Sequence, residues 1–245
     1  MPPLGPKDGR IVFGQKKLRL ILISLAAALM LAAIGVLLLD RAGVNIEELT
    51  GGTQKLRSVE IKRYKGKKLS SVYDFRENSI KGPQHIDKKD YRLEISGLVK
   101  EPKTYKYDQI IDGHRLYKKV VTLNCVEGWR VTILWEGMLV RDLIKEAGPR
   151  PKAKAVIFRA HDGYSTAFPI NYFMKEDIIM AYKMNGVVLP PERGFPFQLV
   201  AEDKWGYKWI KWIEEIELSS NTDYEGYWER RGYSNEGDLD RGYFK

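Results

Sequence analysis

The sequence predicts an α+β domain with a mixed sheet and long loops, preceded by one apolar helix. Short runs rich in β-branched and aromatic residues, such as "YRLEISGLV" and "KAVIFRA", are typical of strands. Residues 140–148 have helical periodicity, with apolar side chains at 140, 143, 144 and 147 before a terminal glycine and Pro149. Strands mixed with few helices and many loops indicate the α+β class rather than a regular parallel sheet.

The elements follow one another along the chain in a simple order. "TYKYDQIID" is predicted to be a short helix or turn, and the segment "YKKVVTL" is a strand that ends just before Cys125. The sequence shows no internal repeat and no low-complexity tract. The predicted strands are 91–99, 117–123, 154–160, 196–201 and 209–218, and the predicted helix is 140–148.

The N-terminal part of the chain predicts a membrane anchor. Residues 20–39 carry no charge, and as a helix they would be about 30 Å long, the thickness of a bilayer's hydrocarbon core. A cleaved signal peptide is the alternative, but its apolar core would be shorter and a small-x-small site would follow it. Basic residues precede the segment, so the N-terminus is expected in the cytoplasm and the domain outside the cell membrane. The predicted organisation is a basic N-terminus (1–19), a single-pass transmembrane anchor (20–39), a linker (40–69) and a folded domain (70–245).

The charge balance leaves several partner classes open. The chain has 41 Lys and Arg against 32 Asp and Glu, a formal net charge of +9. This excess permits nucleic acid, anionic lipid or a small anion as a partner. A domain tethered outside the membrane makes nucleic acid a poor candidate, and the sequence holds no nucleic-acid-binding motif. The basic stretch "KRYKGKK" has two interpretations: a solvated linker, or a contact with anionic lipid headgroups.

Cys125 is the only cysteine, and it stands in "VTLNCVEGWRVTILWEG" after a predicted strand. An internal disulfide and a multi-cysteine metal site are therefore excluded. A buried, inert thiol, a nucleophile and a single thiolate ligand remain as interpretations. The three histidines have no spacing to Cys125 that indicates a catalytic base or a zinc site. Loops after strand ends commonly carry functional residues, which favours a metal that takes its other ligands from a cofactor.

Several blocks in the domain resemble the sulfite oxidase family of molybdopterin-dependent oxidoreductases. They occur in the family's order and extend from about residue 70 to the C-terminus. The resemblance implies a sulfite-oxidase-type domain that binds Mo-molybdopterin, with one pyranopterin dithiolene and one molybdenum ion. The blocks are "YDFRENS", "CVEGWRVTILWEGMLVRDLIKEAG", "FRAHDGYS", "MNGVVLPPERGFPFQLV" and "KWGYKWIKWIEEIEL…YEGYWERRGY".

The resemblance assigns a role to residues near the metal. Cys125 is the implied metal ligand, since the dithiolene brings two sulfurs and the protein adds one. Arg76 is the implied active-site arginine, whose planar fork suits an oxyanion such as sulfite. Tyr233, which ends "WERRGY", is the implied tyrosine that hydrogen bonds an oxygen of the substrate or the metal.

Other residues match positions that hold the pterin and its phosphate tail. For His161 the sequence leaves two interpretations, a pterin contact or a structural histidine. Lys211 is the strongest candidate for the phosphate, because it ends the "WIK" segment that holds the cofactor tail. The implied cofactor contacts are Phe75, Asn78, His161, Asp162, Arg193, Gln198, Trp209, Ile210 and Lys211.

Three positions depart from the sulfite oxidase pattern. Arg193 stands where sulfite oxidases usually have histidine, and Gln198 stands where they have arginine. Glu127 stands where they tend to have glycine, and Cys-x-Glu resembles the periplasmic methionine-sulfoxide reductase branch instead. A carboxylate near the metal could handle protons during reduction of an S-oxide, and it would repel an anionic substrate.

The expected function is therefore oxygen-atom transfer on a small sulfur-containing substrate, either sulfite oxidation or S-oxide reduction. Electrons are expected to pass to or from another protein, such as a membrane haem protein or cytochrome, because one cysteine supplies neither a Cys-x-x-Cys-His motif nor an iron–sulfur cluster. A monomer is expected. The alternative, motivated by Arg193 and Gln198, is a membrane-tethered interaction module that retains the fold without the cofactor.

Overall fold

The computed structural model describes residues 58–74 and 76–245, which lie within one compact unit, Thr53–Lys245. The predicted anchor, residues 20–39, lies outside the described residues, as does most of the predicted linker. No helix in the described part of the chain is long and apolar enough to cross a membrane.

The described residues contain twelve strands, three α-helices and three 3₁₀ turns in the following order. The strands are β1 (Arg63–Tyr64), β2 (Lys67–Lys68), β3 (Arg92–Gly97), β4 (Lys103–Lys106), β5 (Tyr117–Asn124), β6 (Arg130–Leu139), β7 (Ala155–Ala160), β8 (Ser165–Pro169), β9 (Ile179–Met184), β10 (Val187–Val188), β11 (Gln198–Val200) and β12 (Ile213–Ser219). The helices are α1 (Tyr107–Gly113), α2 (Val140–Ala147) and α3 (Ile170–Lys175), and the 3₁₀ turns are Pro191–Arg193, Gly206–Lys208 and Glu229–Arg231.

Two five-stranded sheets and the two-stranded pair β1–β2 hold the twelve described strands. The first has the order β10-β9-β6-β5, with β11 pairing β9, and all its pairs are antiparallel. The second has the order β4-β3-β12-β7-β8, and in it β12 pairs β3 in parallel while the other pairs are antiparallel. The predicted mixed sheet is thus confirmed. Buried side chains from both sheets, including Trp135 and Phe158, form one hydrophobic core.

Helix α2 agrees closely with its sequence pattern. Its buried residues are Val140, Leu143, Ile144 and Ala147, one stripe at helical spacing that faces the core. The helix ends at Gly148, which has φ 66° and donates its N–H to the carbonyl of Lys145. Glycine accepts this left-handed conformation without a steric penalty, which is why it ends so many helices.

Several segments differ from the prediction: strands β8, β9 and β10 and helix α3 were not predicted, and two further differences lie closer to the site. Strand β6, at the centre of the first sheet, was not predicted, because a register shift at Glu136–Gly137 interrupts its alternation. The predicted strand 209–218 was wrong at its start, since the strand begins at Ile213 and Lys211 lies in irregular chain before it. Trp212, with φ 52°, breaks the extended backbone at that point.

Gly137 provides a test of the β6–β9 pairing. A Cβ at this position would lie 2.0 Å from the carbonyl oxygen of Met180 and 2.7 Å from the Cα of Ala181. Gly137→Ala is therefore expected to destabilise the domain by about 1–3 kcal/mol, the usual cost of overpacking a core. Thermal unfolding followed by circular dichroism measures the change. Gly113→Ala is the control, because a Cβ there meets no atom within 4 Å, and an equal loss of stability in both variants would contradict the assignment.

Candidate active site

A cleft of about 440 Å³ opens where loops from both sheets meet, a size within the usual range for small-molecule sites. Its wall is formed by the loop at 76–82, the turn after β5, the chain around the 3₁₀ turns at 191–193 and 206–208, and residues near the C-terminus. Eleven of the predicted site residues line it: Arg76, Asn78, Cys125, Glu127, Asp162, Arg193, Gln198, Trp209, Ile210, Lys211 and Tyr233.

Cys125 begins the turn between β5 and β6. Its N–H donates to the carbonyl of Trp129 at 2.9 Å, and the N–H of Gly128 donates to the carbonyl of Cys125 at 3.1 Å. Gly128 has φ 84°, a conformation that closes the turn and that glycine adopts readily. The turn holds the Cys125 side chain against the cleft with only 8% of the residue exposed. On the other side, Gly206 lies so near that a Cβ there would be 3.3 Å from the Cα of Cys125.

Polar groups surround the Cys125 sulfur. Burial raises the pKa of the thiol, and the charge of Glu127 adds to that effect; the backbone N–H groups of Glu127 and Val126 and the charge of Arg76 oppose it only in part. The side-chain amide of Asn78 lies 3.8 Å from Sγ. The free thiol is therefore neutral at pH 7; a coordinated metal would deprotonate it, and these donors would then stabilise the thiolate.

Two cations, the half-buried Lys211 and the buried Arg193, stand in another part of the cleft wall. Lys211 pairs with Glu77 at 2.7 Å, and its Nζ lies 4.2 Å from the ring centroid of Trp212. Burial lowers the pKa of Lys211, while the hydrogen bond and the charge of Glu77 oppose that effect. Arg193 is 6% exposed, and its Nε donates to the carbonyl of Val72 at 3.1 Å. Burial lowers the pKa of Arg193 to about 10, which leaves it charged at neutral pH.

Other predicted residues form hydrogen bonds that fix the backbone of the cleft wall. Asp162 is buried, and its carboxylate accepts the N–H of Tyr164 at 2.9 Å, which holds the loop after β7. Ile210 accepts the N–H of Leu199 at 2.9 Å, so the segment before β12 is fastened to β11. Gln198 on β11 is 3% exposed and lines the cleft.

Tyr233 lies in an aromatic cluster at the edge of the cleft. Its ring centroid is 5.0 Å from that of Tyr207, 5.2 Å from that of Trp228 and 4.9 Å from that of Phe244. Burial raises the pKa of the phenol, and electrostatic interactions with Tyr243, Cys125 and Glu127 raise it further. The hydroxyl is therefore neutral at physiological pH and can donate a hydrogen bond.

Three predicted residues need separate comment. His161 does not line the cleft; it is exposed, and its Nδ1 lies 2.6 Å from Glu214, which favours the structural interpretation. Phe75 lies outside the described residues. Glu127 is exposed at the cleft, where its carboxylate accepts the indole N–H of Trp129 at 3.1 Å.

The sequence did not reveal Lys208 and Glu229, which form a fully buried ion pair at 2.8 Å. Lys208 also donates to the carbonyls of Ala167 and Asn235, at 2.7 and 2.9 Å, and Thr166 donates to Glu229 at 2.7 Å. Burial lowers the pKa of Lys208, and Glu229 opposes the effect. The position of Lys208 in the "KWGYKWIK" block was the one available signal, and it does not tell a buried lysine from an exposed one.

Glu77 and Glu192 were also not predicted, although both line the cleft beside the cations. Glu77 pairs with Lys211, and both carboxylates act on the charge of Arg193. Nothing in "FRENS" or "PPERG" distinguishes these two glutamates from exposed ones.

Comparison with known proteins identifies the family. Residues 80–228 match the family described as "Oxidoreductase molybdopterin binding domain". The chain belongs to this family, within the sulfite oxidase group of molybdopterin-dependent oxidoreductases. Its cofactor is Mo-molybdopterin, and its class is that of an oxidoreductase.

Curated relatives show similar identity but different coverage. The chain is 32% identical over 157 residues to "Uncharacterized oxidoreductase YuiH" of Bacillus subtilis, covering 64% of this chain and 78% of the relative. It is 31% identical to "Putative protein-methionine-sulfoxide reductase subunit YedZ1" of Azospira oryzae, covering 62% of this chain and 57% of the relative. It is 30% identical to "Protein-methionine-sulfoxide reductase catalytic subunit MsrP" of Gluconobacter oxydans, covering 52% of this chain and 46% of the relative. The chain thus spans only about half the length of these last two.

A solved structure supports the fold. The sulfane dehydrogenase SoxCD from Paracoccus pantotrophus superposes with a TM-score of 0.56 at 23% sequence identity. The similarity covers 62% of this chain and 42% of that chain. At this identity the likeness shows a common fold and nothing more.

The cleft fits the cofactor of the family by its donor chemistry. It offers one thiol, the buried cation of Arg193, the half-buried cation of Lys211, and the side chains of Asn78 and Gln198. A thiol is a soft ligand for a transition metal, and such cations suit a phosphate. The donors for a metal and for an anion thus stand in one cleft, as a molybdenum cofactor with a phosphate tail requires.

The Lys208–Glu229 pair makes a testable contribution to stability. Lys208→Met leaves Glu229 charged and buried without its cation, so the free energy of unfolding is expected to fall by about 3–5 kcal/mol. Guanidinium unfolding of the full chain in detergent measures this change. The double variant Lys208→Met/Glu229→Gln removes the stranded charge and should recover part of the loss. If Lys208→Met has the same free energy of unfolding as the parent, the ion pair does not contribute to stability.

Proposed function

We propose that this chain is a membrane-anchored molybdenum enzyme that transfers an oxygen atom to or from the sulfur of a small substrate. The observation that carries the proposal is the position of Cys125, a nearly buried thiol among N–H donors in the cleft that also holds Lys211 and Arg193. Family membership supports the chemistry. The names of the relatives YedZ1 and MsrP support a sulfur-containing substrate.

When bound, the cofactor supplies a molybdenum ion that cycles between Mo(VI) and Mo(IV) and exchanges an oxygen atom with the substrate. Cys125 would be the protein ligand to that ion. Lys211, Arg193 and Gln198 would hold the phosphate tail, and Asn78 would contact the pterin beside the sulfur. The segment Trp209–Lys211 places its lysine in the cleft, because its backbone is tied to β11.

Arg76 and Tyr233 suit an oxyanion such as sulfite, whereas the carboxylate of Glu127 favours reduction of a neutral S-oxide, and we give the deciding role to Glu127. Arg76 and Tyr233 could each bind an oxygen of the substrate, the first by charge and the second as a neutral donor. Glu127 bonds Trp129 and stays exposed at the cleft, so its negative charge meets an incoming substrate. An anion such as sulfite would be repelled by this carboxylate, whereas an S-oxide would not.

Anchoring and electron transfer complete the proposal. Residues 20–39 would cross the cell membrane once and keep the domain, a monomer, on the extracytoplasmic side. The single cysteine of this sequence cannot hold an iron–sulfur cluster or a covalently attached haem, so electrons would come from a partner protein. A haem protein of the same membrane is the partner that the anchor would favour.

Metal content tests the proposal directly. The full chain, produced in a host that makes the molybdenum cofactor and purified in detergent, is expected to hold close to one molybdenum per chain. Cys125→Ser should lower the molybdenum content or change the metal's electron paramagnetic resonance spectrum, because the thiolate ligand is lost. Val126→Ala, next to it in the turn, is the matched control. A folded parent without molybdenum would instead favour the interaction-module alternative.

A second prediction separates the two directions of the reaction. The parent is expected to oxidise a reduced dye with methionine sulfoxide faster than it reduces an acceptor with sulfite. Glu127→Gly should lower the KM for sulfite about fivefold, since a unit charge about 4 Å away contributes roughly 1 kcal/mol in a water-like medium. Glu101→Gln, which removes an exposed carboxylate beside Lys103, is the control. If sulfite is the better substrate of the parent, the proposed direction is wrong.

A further inference from the structure

The basic stretch after the predicted anchor is a defined hairpin in the structure. Strands β1 and β2 pair antiparallel, with Arg63 opposite Lys68, and Lys65 and Gly66 form the turn at φ 46° and 79°. We call residues 62–68 the basic hairpin. Its five cations, all exposed, are Lys62, Arg63, Lys65, Lys67 and Lys68.

The hairpin is fastened to the folded domain at both ends. Ile61 donates its N–H to the carbonyl of Asn185 at 2.8 Å, and Ser70 donates to the carbonyl of Thr132 at 2.8 Å. Leu69 is buried, and the side chain of Ile61 lies over Gly186, where a Cβ would be 2.9 Å from Cδ1. Residues 60–69, which the sequence placed in the linker, are thus part of the domain surface.

The five cations form no ion pair with any carboxylate among the described residues. Glu60, the acidic residue nearest in sequence, is buried and turned inward, where it accepts from Ser71 and from the N–H of Val72. Glu136 on β6 does not neutralise the hairpin either, because its carboxylate forms an ion pair with Lys118 at 3.1 Å. A rigid surface that presents five positive charges without internal neutralisation suits an anionic partner.

Exposed apolar side chains flank the hairpin. Val59 is 67% exposed, Ile61 is 36% exposed, and Val188, just after the Asn185–Gly186 turn, is 45% exposed. Cations beside exposed apolar side chains are the composition of surfaces that lie at a membrane interface, where headgroups meet acyl chains. The apolar flank therefore favours a lipid surface over a fully hydrated acidic partner.

The position of the hairpin in the chain points to the same partner. Residues 40–61 separate it from the predicted anchor, and a chain of that length reaches at most about 80 Å when fully extended. We infer that the basic hairpin binds anionic lipid headgroups and docks the catalytic domain on the membrane in a fixed orientation. This inference rests on the anchoring in the proposed function.

Lysine footprinting tests the docking. The full chain is reconstituted into vesicles of phosphatidylcholine alone and of phosphatidylcholine with phosphatidylglycerol, and acetylation of each lysine is followed by mass spectrometry. The hairpin lysines are expected to react at least about fivefold more slowly on the anionic vesicles, since each contact with an anionic surface contributes roughly 1 kcal/mol. High salt should restore their reactivity.

Two variants of equal charge change provide the control. The hairpin variant K62Q/R63Q/K65Q/K67Q/K68Q should show the same reactivity at Lys118 and at its other remaining lysines in both lipids. A surface variant that removes five exposed lysines elsewhere should keep the protection of the hairpin: K89Q/K145Q/K152Q/K154Q/K175Q. Equal reactivity of the hairpin lysines in both lipids would overturn the inference, and so would protection that needs an added protein.

Flotation separates this inference from the anchor. A chain that floats with phosphatidylcholine vesicles and resists alkaline extraction is anchored, and footprinting then decides the role of the hairpin. A chain that does not float with phosphatidylcholine vesicles lacks the anchor. In that case the hairpin inference requires that the chain float with the anionic vesicles and not with the phosphatidylcholine vesicles. Failure of the parent to float with the anionic vesicles, or flotation of the hairpin variant with them, would overturn the inference in that case.

Discussion

The buried ion pair between Lys208 and Glu229 is the constraint on which the shape of the cleft depends. A lysine ammonium is strongly hydrated, so burial is tolerated only where acceptors replace the water. Lys208 finds three: Glu229 and the carbonyls of Ala167 and Asn235. These groups belong to three separate segments, which therefore have to meet at one point. This meeting of segments positions both sides of the cleft. Gly206 lies just before Lys208 in the chain and packs against the turn of Cys125, and Tyr233 lies shortly after Glu229 and also lines the cleft.

The charges inside the cleft follow a similar logic. Arg193 is buried and Lys211 is half-buried, and the carboxylates of Glu77 and Glu192 line the cleft beside them, so two cations are matched by two carboxylates. A buried cation without a counter-charge would be costly, and here the carboxylates compensate it in the protein itself. A phosphate that binds at these cations would compete with the carboxylates for the same donors. The basic hairpin is the opposite case, because its charges are exposed. Water stabilises these charges until an anionic surface replaces the water.

Much of the fold could be predicted, because it depends on local patterns. Helix α2, its glycine terminus and the strand before Cys125 follow from periodicity and from the conformational freedom of glycine. Strand β6 was missed because its bulge depends on the approach of β9, which lies more than forty residues away in the chain. The start of β12 was placed too early because "WIKW" alternates like a strand, whereas a positive φ at Trp212 ends the irregular segment there. Local alternation cannot reveal a break of that kind.

The sequence by itself determined the class of the protein and most of the residues that meet in its cleft. Ordered blocks around one cysteine are specific, and each block keeps its residues together wherever it lies in the fold. Only the tertiary structure decided which charged side chains are buried and what compensates them. Glu77, Lys208 and Glu229 have the same covalent structure as exposed residues, and His161, beside the buried Asp162, is turned away from the cleft. Burial and pairing of charge depend on segments distant in the chain, so no local pattern encodes them.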